Sequence, residues 1–405
     1  MSMGRKQMLN WWVKFHRRAR GGPAKKDAVA LIVTGMEKGG LEQVILDLYH
    51  GYKKRGIRAY IVCQNRRIEA VKDLVDAPED LFVFDSDLPT LIHFLWRRDV
   101  RALHYHYNTF GMKELHFLGF RIIYTMHNTY TWMSDEEIRR YAEILTNADT
   151  VVPVSASVRD YFLRRTQNRS LHLQVINNGI DFSDFEKEGV SLPYSREDLG
   201  IGHEDVTVGF VGSFYHAKSQ IGMLGVAERL IRDYPQLKFV FLGNNGDENY
   251  HRRFMEEYQS CEARDHIVFA PPISHEQMGC FYRQIVDIFV LPTLHEGNPL
   301  VALEAMYCGR PMVLTPIGIA DELSEKAACL VCDAAYPELE RVTDDEIKNH
   351  LSLQKHPANE ASIASCIAEI ADHLPEYKAK ADGCRSNVEE YSIDRMVDAY
   401  VKLLH

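Results

Sequence analysis

Two carboxylates, Glu296 and Glu304, stand with seven residues between them in the stretch LPTLHEGNPLVALEAM, Leu291 to Met306. The apolar run Asp287–Leu291 reads as a strand that ends at Pro292. A loop with Gly297 and Pro299 follows, then a helix through Val301, Ala302, Glu304, Ala305 and Met306. That reading puts Glu296 in the loop and Glu304 about one turn inside the helix. A helix N-terminus offers unpaired N–H groups and a partial positive charge, which suits an anion such as phosphate. A carboxylate inside the helix can accept hydrogen bonds from paired hydroxyls, as on a ribose. Phosphate, ribose and a nearby sugar ring together describe a nucleotide sugar. An ordinary strand–loop–helix connection with surface glutamates has the same spacing, and spacing alone leaves the two readings level.

The elements that would position these residues alternate along the whole chain. Ala28–Thr34 (AVALIVT) has the continuous apolar character of a buried parallel strand. A turn over Gly35 to Gly40 leads to a helix from Leu41 to Arg55, with Leu41, Val44, Ile45, Leu48 and Tyr52 on its apolar face. Further strands are expected at 58–63, 81–84, 102–105, 121–126 and 150–154. A polar, irregular region up to Asp205 separates these from a second series at 206–211, 237–242, 267–269, 287–291, 311–314 and 329–331. The expected organisation is two doubly wound α/β units, residues 27–190 and 205–375, with a helical stretch over 376–405 packing back toward the first. In such sheets ligands lie beyond the carboxyl ends of the strands. The loops Gly35–Gly40 and Gly212–Lys218 and the loop at His295 are therefore expected to face one cleft.

Composition bounds the partners. The chain has 405 residues, 46% of them hydrophobic, enough for two or three domains with large cores. No run of about 18 apolar residues and no signal-peptide pattern occurs, so a cytoplasmic protein is expected. The eight cysteines are scattered, and the lone Cys329-x-x-Cys332 lies in an apolar strand with no second pair at zinc spacing. No metal or cofactor is expected. Residues 1–26 hold eight basic residues and no acidic one, and the remainder carries 39 basic against 57 acidic residues. That acidic body excludes general nucleic-acid binding. Within the basic segment, Met8, Trp11, Trp12 and Phe15 fall on one helical face with Lys14, Arg17 and Arg18 off it. This pattern fits a helix lying in an anionic membrane surface, and equally one docked on the protein itself or on a partner.

The ordered set of motifs resembles the retaining glycosyltransferases of the GT-B fold, the large family-four group. KGGLEQVILDLYHGYKKRG is similar to that family's N-terminal glycine loop and first helix. VPVSASVRDYF and VINNGIDFSDF resemble the end of its first domain. GFVGSFYHAKSQIGMLGVAERLI resembles its second phosphate loop, HEGNPLVALEAMYCGRPMVLTPIGIADEL its donor-site signature, and YSIDRMVDAYVKLL its last helix. The matches run in the family's order from about residue 27 to 404.

The resemblance implies two Rossmann-like domains facing across a cleft, the first on the acceptor side and the second on the donor side. The implied donor is a nucleotide diphosphate sugar, a UDP-sugar first and GDP-mannose second, and the acceptor a glycan or lipid-linked hydroxyl. It implies that Glu304 binds the ribose hydroxyls and that Glu296 and His127 contact the transferred sugar. Gly297, Asn298 and Leu300 would line the sugar and diphosphate, and Lys218 would neutralise the diphosphate. Gly39 and Gly40 would approach it from the other domain, and Glu322 matches an acidic position after the signature. Ser213 stands where the family carries an arginine, so one bidentate phosphate contact is missing. Asn298 replaces a usual aromatic and Ile319 the second glycine of a pair. A catalytically weak GT-B protein serving as a nucleotide-sugar- or glycan-binding subunit is the alternative that Ser213 raises. A nicotinamide dehydrogenase fails at the first loop, because Gly35-Met-Glu-Lys-Gly39-Gly40 is not G-x-G-x-x-G. His104 and His106 alternate with Tyr105 and Tyr107 at a strand end, where they would line the acceptor side or simply pack.

Overall fold

A computed structural model describes residues 27–36, 40–69, 71–168, 170–336 and 358–405. The segment with Met8, Trp11, Trp12 and Phe15, and also Gly39, lie outside the described residues.

The first apolar run forms β1 (Ala28–Val33), buried at every position. It pairs in parallel with β2 (Arg58–Cys63) on one side and β4 (Ala102–His106) on the other, with Ala30 opposite Tyr60 and Leu103. β3 (Leu81–Val83), β5 (Arg121–Met126) and β6 (Thr150–Pro153) complete a parallel sheet in the order β3-β2-β1-β4-β5-β6. The second series builds β7 (Val206–Val211), β8 (Leu237–Leu242), β9 (Ile267–Phe269), β10 (Ile288–Leu291), β11 (Met312–Leu314) and β12 (Cys329–Val331). These run in the order β12-β11-β10-β7-β8-β9, so each half repeats one doubly wound plan. Strand order reverses between β1 and β4 and between β7 and β10, where such sheets open a crevice for ligands.

The helix Gly40–Lys54 buries Val44, Ile45, Leu48, Tyr49 and Tyr52. It ends in a Schellman pattern: Ile57 N–H donates to the Tyr52 carbonyl at 3.0 Å and Gly56 N–H to that of Lys53 at 2.9 Å. Gly56, at φ 76°, supplies the left-handed residue this stop requires.

Two crossings join the halves side by side. Ile180 N–H donates to the Tyr391 carbonyl and Ile393 N–H to that of Ile180, both at 3.0 Å. Gly179 packs so closely on this pair that a Cβ there would lie 2.6 Å from the Ser392 carbonyl oxygen. After the first crossing, Phe185 and Ile201 enter the core of the second half. The second crossing explains a departure from the expected single helical stretch over 376–405. The chain forms Leu374–Cys384, a 3-10 segment Arg385–Tyr391, and then Ile393–Val401. Backbone groups at 391 and 393 are given to Ile180 instead of to a helix, and Ser392 caps the new start by accepting from Arg395 N–H.

The helix Ile393–Val401 then lies on Gly40–Lys54. Its Tyr400 hydroxyl meets Thr125 Oγ1 at 3.0 Å, which meets His104 Nε2 at 2.7 Å, and His104 Nδ1 meets Tyr52 at 3.2 Å. This buried polar chain gives His104 a structural place. Gly51 faces Val397, whose methyl carbon would lie 2.5 Å from a Cβ added there. Gly51→Ala gains about 1 kcal/mol of helix propensity, yet is expected to lower the melting temperature because Val397 is rigid at χ1. Combining it with Val397→Ala should restore stability; a gain from Gly51→Ala alone would count against this docking.

Candidate active site

The carboxyl ends of β7, β8, β9 and β10 converge on a cleft of about 300 Å³. Gly212 and Ser213 follow β7, Gly243 and Asn244 follow β8, and Ile273, His275 and Met278 follow β9; Glu304 comes from the helix after β10. Gly40 reaches in from the first half. Gly243 approaches the Gly212 carbonyl so closely that a Cβ would fall 1.9 Å from its oxygen, so the two loops nest backbone on backbone.

Glu304 is 5% exposed. The Tyr282 hydroxyl donates to its Oε2 at 2.9 Å, and His275 Nε2 lies 3.6 Å from its Oε1. Burial, and then the Glu304 charge, push the Tyr282 phenol well above its ordinary value, so it remains a donor. A charge-assisted hydrogen bond of this kind contributes roughly 1.5–3 kcal/mol. Pro299 caps the helix Leu300–Tyr307 without a side-chain hydrogen bond. No side chain of the cap thus competes for the helix's first amides, which have no partner within the helix itself.

Lys218 and Glu296 meet beside this cleft. Lys218 lies on the 3-10 turn His216–Lys218, and its ammonium donates directly to Glu296 Oε1. The Ala217 carbonyl accepts from Leu294 N–H at 2.7 Å and from Thr293 Oγ1 at 2.9 Å, which locks the two loops together. Across from them, His127 follows β5. Gly297 rests on its carbonyl: a Cβ at Gly297 would lie 1.9 Å from the His127 oxygen. The His127 Nε2 and His106 Nδ1 atoms are 2.8 Å apart.

The remaining expected residues take other places. Asn298 Nδ2 donates to the Val154 carbonyl at 3.0 Å, and its own carbonyl accepts from Asn178 at 3.3 Å, so Asn298 spans the two halves. Glu322 accepts from Asn177 at 2.9 Å and Tyr391 at 3.2 Å, at the crossings and away from the residues lining the cleft. Leu300 packs against the cores of both halves. The Ser213 carbonyl accepts from Gln220 at 2.7 Å while the residue lines the cleft. Asp85-Ser86-Asp87 is a turn: Asp85 and Ser86 have positive φ, and Asp87 caps the helix Leu88–Arg97. Sequence spacing did not single out His275, Tyr282, Gly243 or Asn244. Tyr282 is 22 positions from the carboxylate it serves, and only the HYHY alternation hinted at His106.

Burial lowers His127 from 6.5 to about 3. It also holds His104 and His106 well below 6.5, helped by neighbouring histidines. All three are neutral in the folded chain near neutral pH. The unfolded chain takes up these protons as pH falls through 6.5, so it binds more protons than the folded chain. Stability is therefore lost as pH falls from 6.5 toward 3. Melting curves from pH 7 to 5 should show the fall, and His104→Gln should reduce the slope by about 1.4 kcal/mol per pH unit. Gly297→Ala is expected to hold the halves apart, read as a larger radius of gyration by small-angle X-ray scattering; an unchanged radius would show that His127 yields.

A family model described as Glycosyl transferases group 1 matches residues 193–349, and one described as Glycosyltransferase Family 4 matches residues 38–184. The EpsF protein of Bacillus subtilis (strain 168) is 22% identical over 319 residues, which is 73% of this chain and 79% of EpsF. A D-inositol 3-phosphate glycosyltransferase of Corynebacterium urealyticum is 28% identical over 213 residues, and this chain spans only 50% of that relative's length. Among solved structures, HepE of Anabaena in complex with UDP and glucose aligns with a TM-score of 0.70 at 15% identity, over 93% of this chain and 99% of its own. Sucrose-phosphate synthase from Thermosynechococcus elongatus aligns with a TM-score of 0.73 at 16% identity, over 93% and 98%. At these identities the structural likeness carries the fold.

Proposed function

The chain belongs to the family-four glycosyltransferases of the GT-B fold, and from that premise we propose that it transfers a sugar from a UDP-sugar, with retention of anomeric configuration and without a metal, to a glycan or lipid-linked hydroxyl. The observation that carries this reading is Glu304. It is a buried carboxylate with one fixed donor, on a cleft built from the carboxyl ends of four parallel strands. HepE, which shares the fold, binds UDP, glucose and UDP-glucose in its structures.

In this reading Glu304 accepts hydrogen bonds from the ribose hydroxyls. The amides opening Leu300–Tyr307 and the Lys218 ammonium take the diphosphate, whose charge grows as the glycosidic bond breaks. Fixed dipoles and a cation aimed at that charge stabilise the transition state without reorganising. Lys218 exchanges Glu296 for phosphate as the donor enters, which frees Glu296 for the sugar hydroxyls. His127 is neutral, so it serves as a hydrogen-bonding group on the sugar and not as a cation. A donor phosphate oxygen takes the acceptor proton, so no protein nucleophile is required. Surface polysaccharide or glycolipid assembly on the cytoplasmic face of a membrane suits the basic, tryptophan-bearing segment 1–26. Among the described residues no helix is long and apolar enough to cross a membrane.

Ser213 at the cleft supports the second reading, a slow nucleotide-sugar-binding subunit. Isothermal titration with UDP tests the first: Glu304→Ala should weaken binding about 10- to 100-fold, and turnover should survive EDTA. Equal UDP affinity in Glu304→Ala would sink the donor site. Binding without turnover, restored by Ser213→Arg, would favour the subunit.

A further inference from the structure

The loop after β5 carries an indole that the donor chemistry does not use. Trp132 is 46% exposed, while its neighbours Tyr130 and Thr131 are each 1% exposed. Its ring does not stand alone. It lies 5.1 Å from the Tyr130 ring and 6.0 Å from the Tyr107 ring, and Tyr107 lies 5.5 Å from His127. Two ring-to-ring steps therefore lead from the exposed indole to the histidine whose carbonyl touches Gly297. Tyr107 also lies close enough to Glu296 for that carboxylate, after burial and Tyr130, to help hold the proton on its phenol.

The platform is built rigidly. Met133 N–H donates to the Tyr130 carbonyl at 3.0 Å, Arg165 donates to the Met133 carbonyl at 2.8 Å, and Ser134 forms a capping box with Glu137. Tyr107 and Tyr130 both hold positive φ, 48° and 56°. For bulky side chains that conformation is strained, and such strain concentrates where a ligand is gripped. Here the two strained residues are the two that flank the indole.

We propose that Trp132, backed by Tyr107 and Tyr130, is the acceptor subsite and that it stacks a pyranose ring of a glycan. This rests on the glycosyltransferase reading and specifies its acceptor class. A pyranose has one face of C–H groups and a rim of hydroxyls. The C–H face covers the indole and releases water held over it, while the rim hydroxyls stay wet. A half-exposed ring on a rigid turn suits that ligand, because little entropy is lost on binding. A lipid chain would have no use for the ordered tyrosine backing.

The test is saturation-transfer NMR on the full chain, with and without saturating UDP. The probes are the methyl glycosides of glucose, galactose, mannose and N-acetylglucosamine. At least one should receive saturation from the wild type. Trp132→Ala should weaken it at least tenfold and Trp132→Phe less, with the UDP affinity unchanged in both. The proposal is overturned if no glycoside receives saturation, or if Trp132→Ala keeps the full signal. Flotation with phosphatidylglycerol vesicles that Trp132→Ala abolishes would also overturn it in favour of a lipid surface. Failure of UDP to bind the wild type would remove the donor reading, and the titrations without UDP would still decide the role of Trp132.

Discussion

The two halves meet backbone to backbone. Gly297 of the second half presses on the His127 carbonyl of the first, with no room for a side chain between them. Much of the site follows from that contact. It sets Glu296 and Lys218 opposite the carboxyl ends of β4 and β5, and it lets Asn298 reach the Val154 carbonyl. The paired crossings at Ile180 and Ser392 give the contact a fixed reference, because both connections run side by side. Tyr391, which belongs to one crossing, also donates to Glu322, and Asn177 beside the other crossing does the same. The halves are thus joined by polar groups at the crossings and by Gly297 and Asn298 beside His127 and Val154.

Electrostatics in and beside the cleft rest on few charged side chains, each held by named partners. Glu304 is buried, and its cost is offset by the Tyr282 hydroxyl, with His275 Nε2 3.6 Å from its other oxygen. Lys218 and Glu296 neutralise one another across two loops that Ala217 ties together. The three histidines of the first sheet are neutral because desolvation outweighs every favourable contact they make. Under the proposed donor reading, Ser213 stands at the cleft instead of a guanidinium, and helix amides and a single lysine are left to take the diphosphate. On that reading the N-terminus of Leu300–Tyr307 carries more of the diphosphate charge than it would in a site with two cations.

Much of the fold was legible because burial on both faces writes itself as unbroken apolar runs. AVALIV, RIIYTM and LKFVFL are strands with little or no adjustment of their ends. Where the pattern misled, a tertiary demand had overridden local preference. The last helical stretch is interrupted at Tyr391–Ile393 because those backbone groups pair with Ile180. A pairing across more than 200 residues has no local signature.

The site divides in the same way. Strand order along the chain was enough to bring the loops that carry Glu304, Glu296, Lys218 and His127 to the carboxyl ends of the two sheets, since the carboxyl ends of parallel strands share one edge. Sequence could not show that Lys218 is occupied by Glu296, that Asn298 and Glu322 hold the halves together, or that Tyr282 holds Glu304. Nor could it single out Trp132 from the other tryptophans. By itself, then, the sequence determined which residues are available and which edge of each sheet they occupy, because periodicity and turn chemistry are local. Only the tertiary structure decided the neutral state of the histidines, the partners of each residue and their distance across the cleft. Those depend on burial and on contacts between segments far apart in the chain.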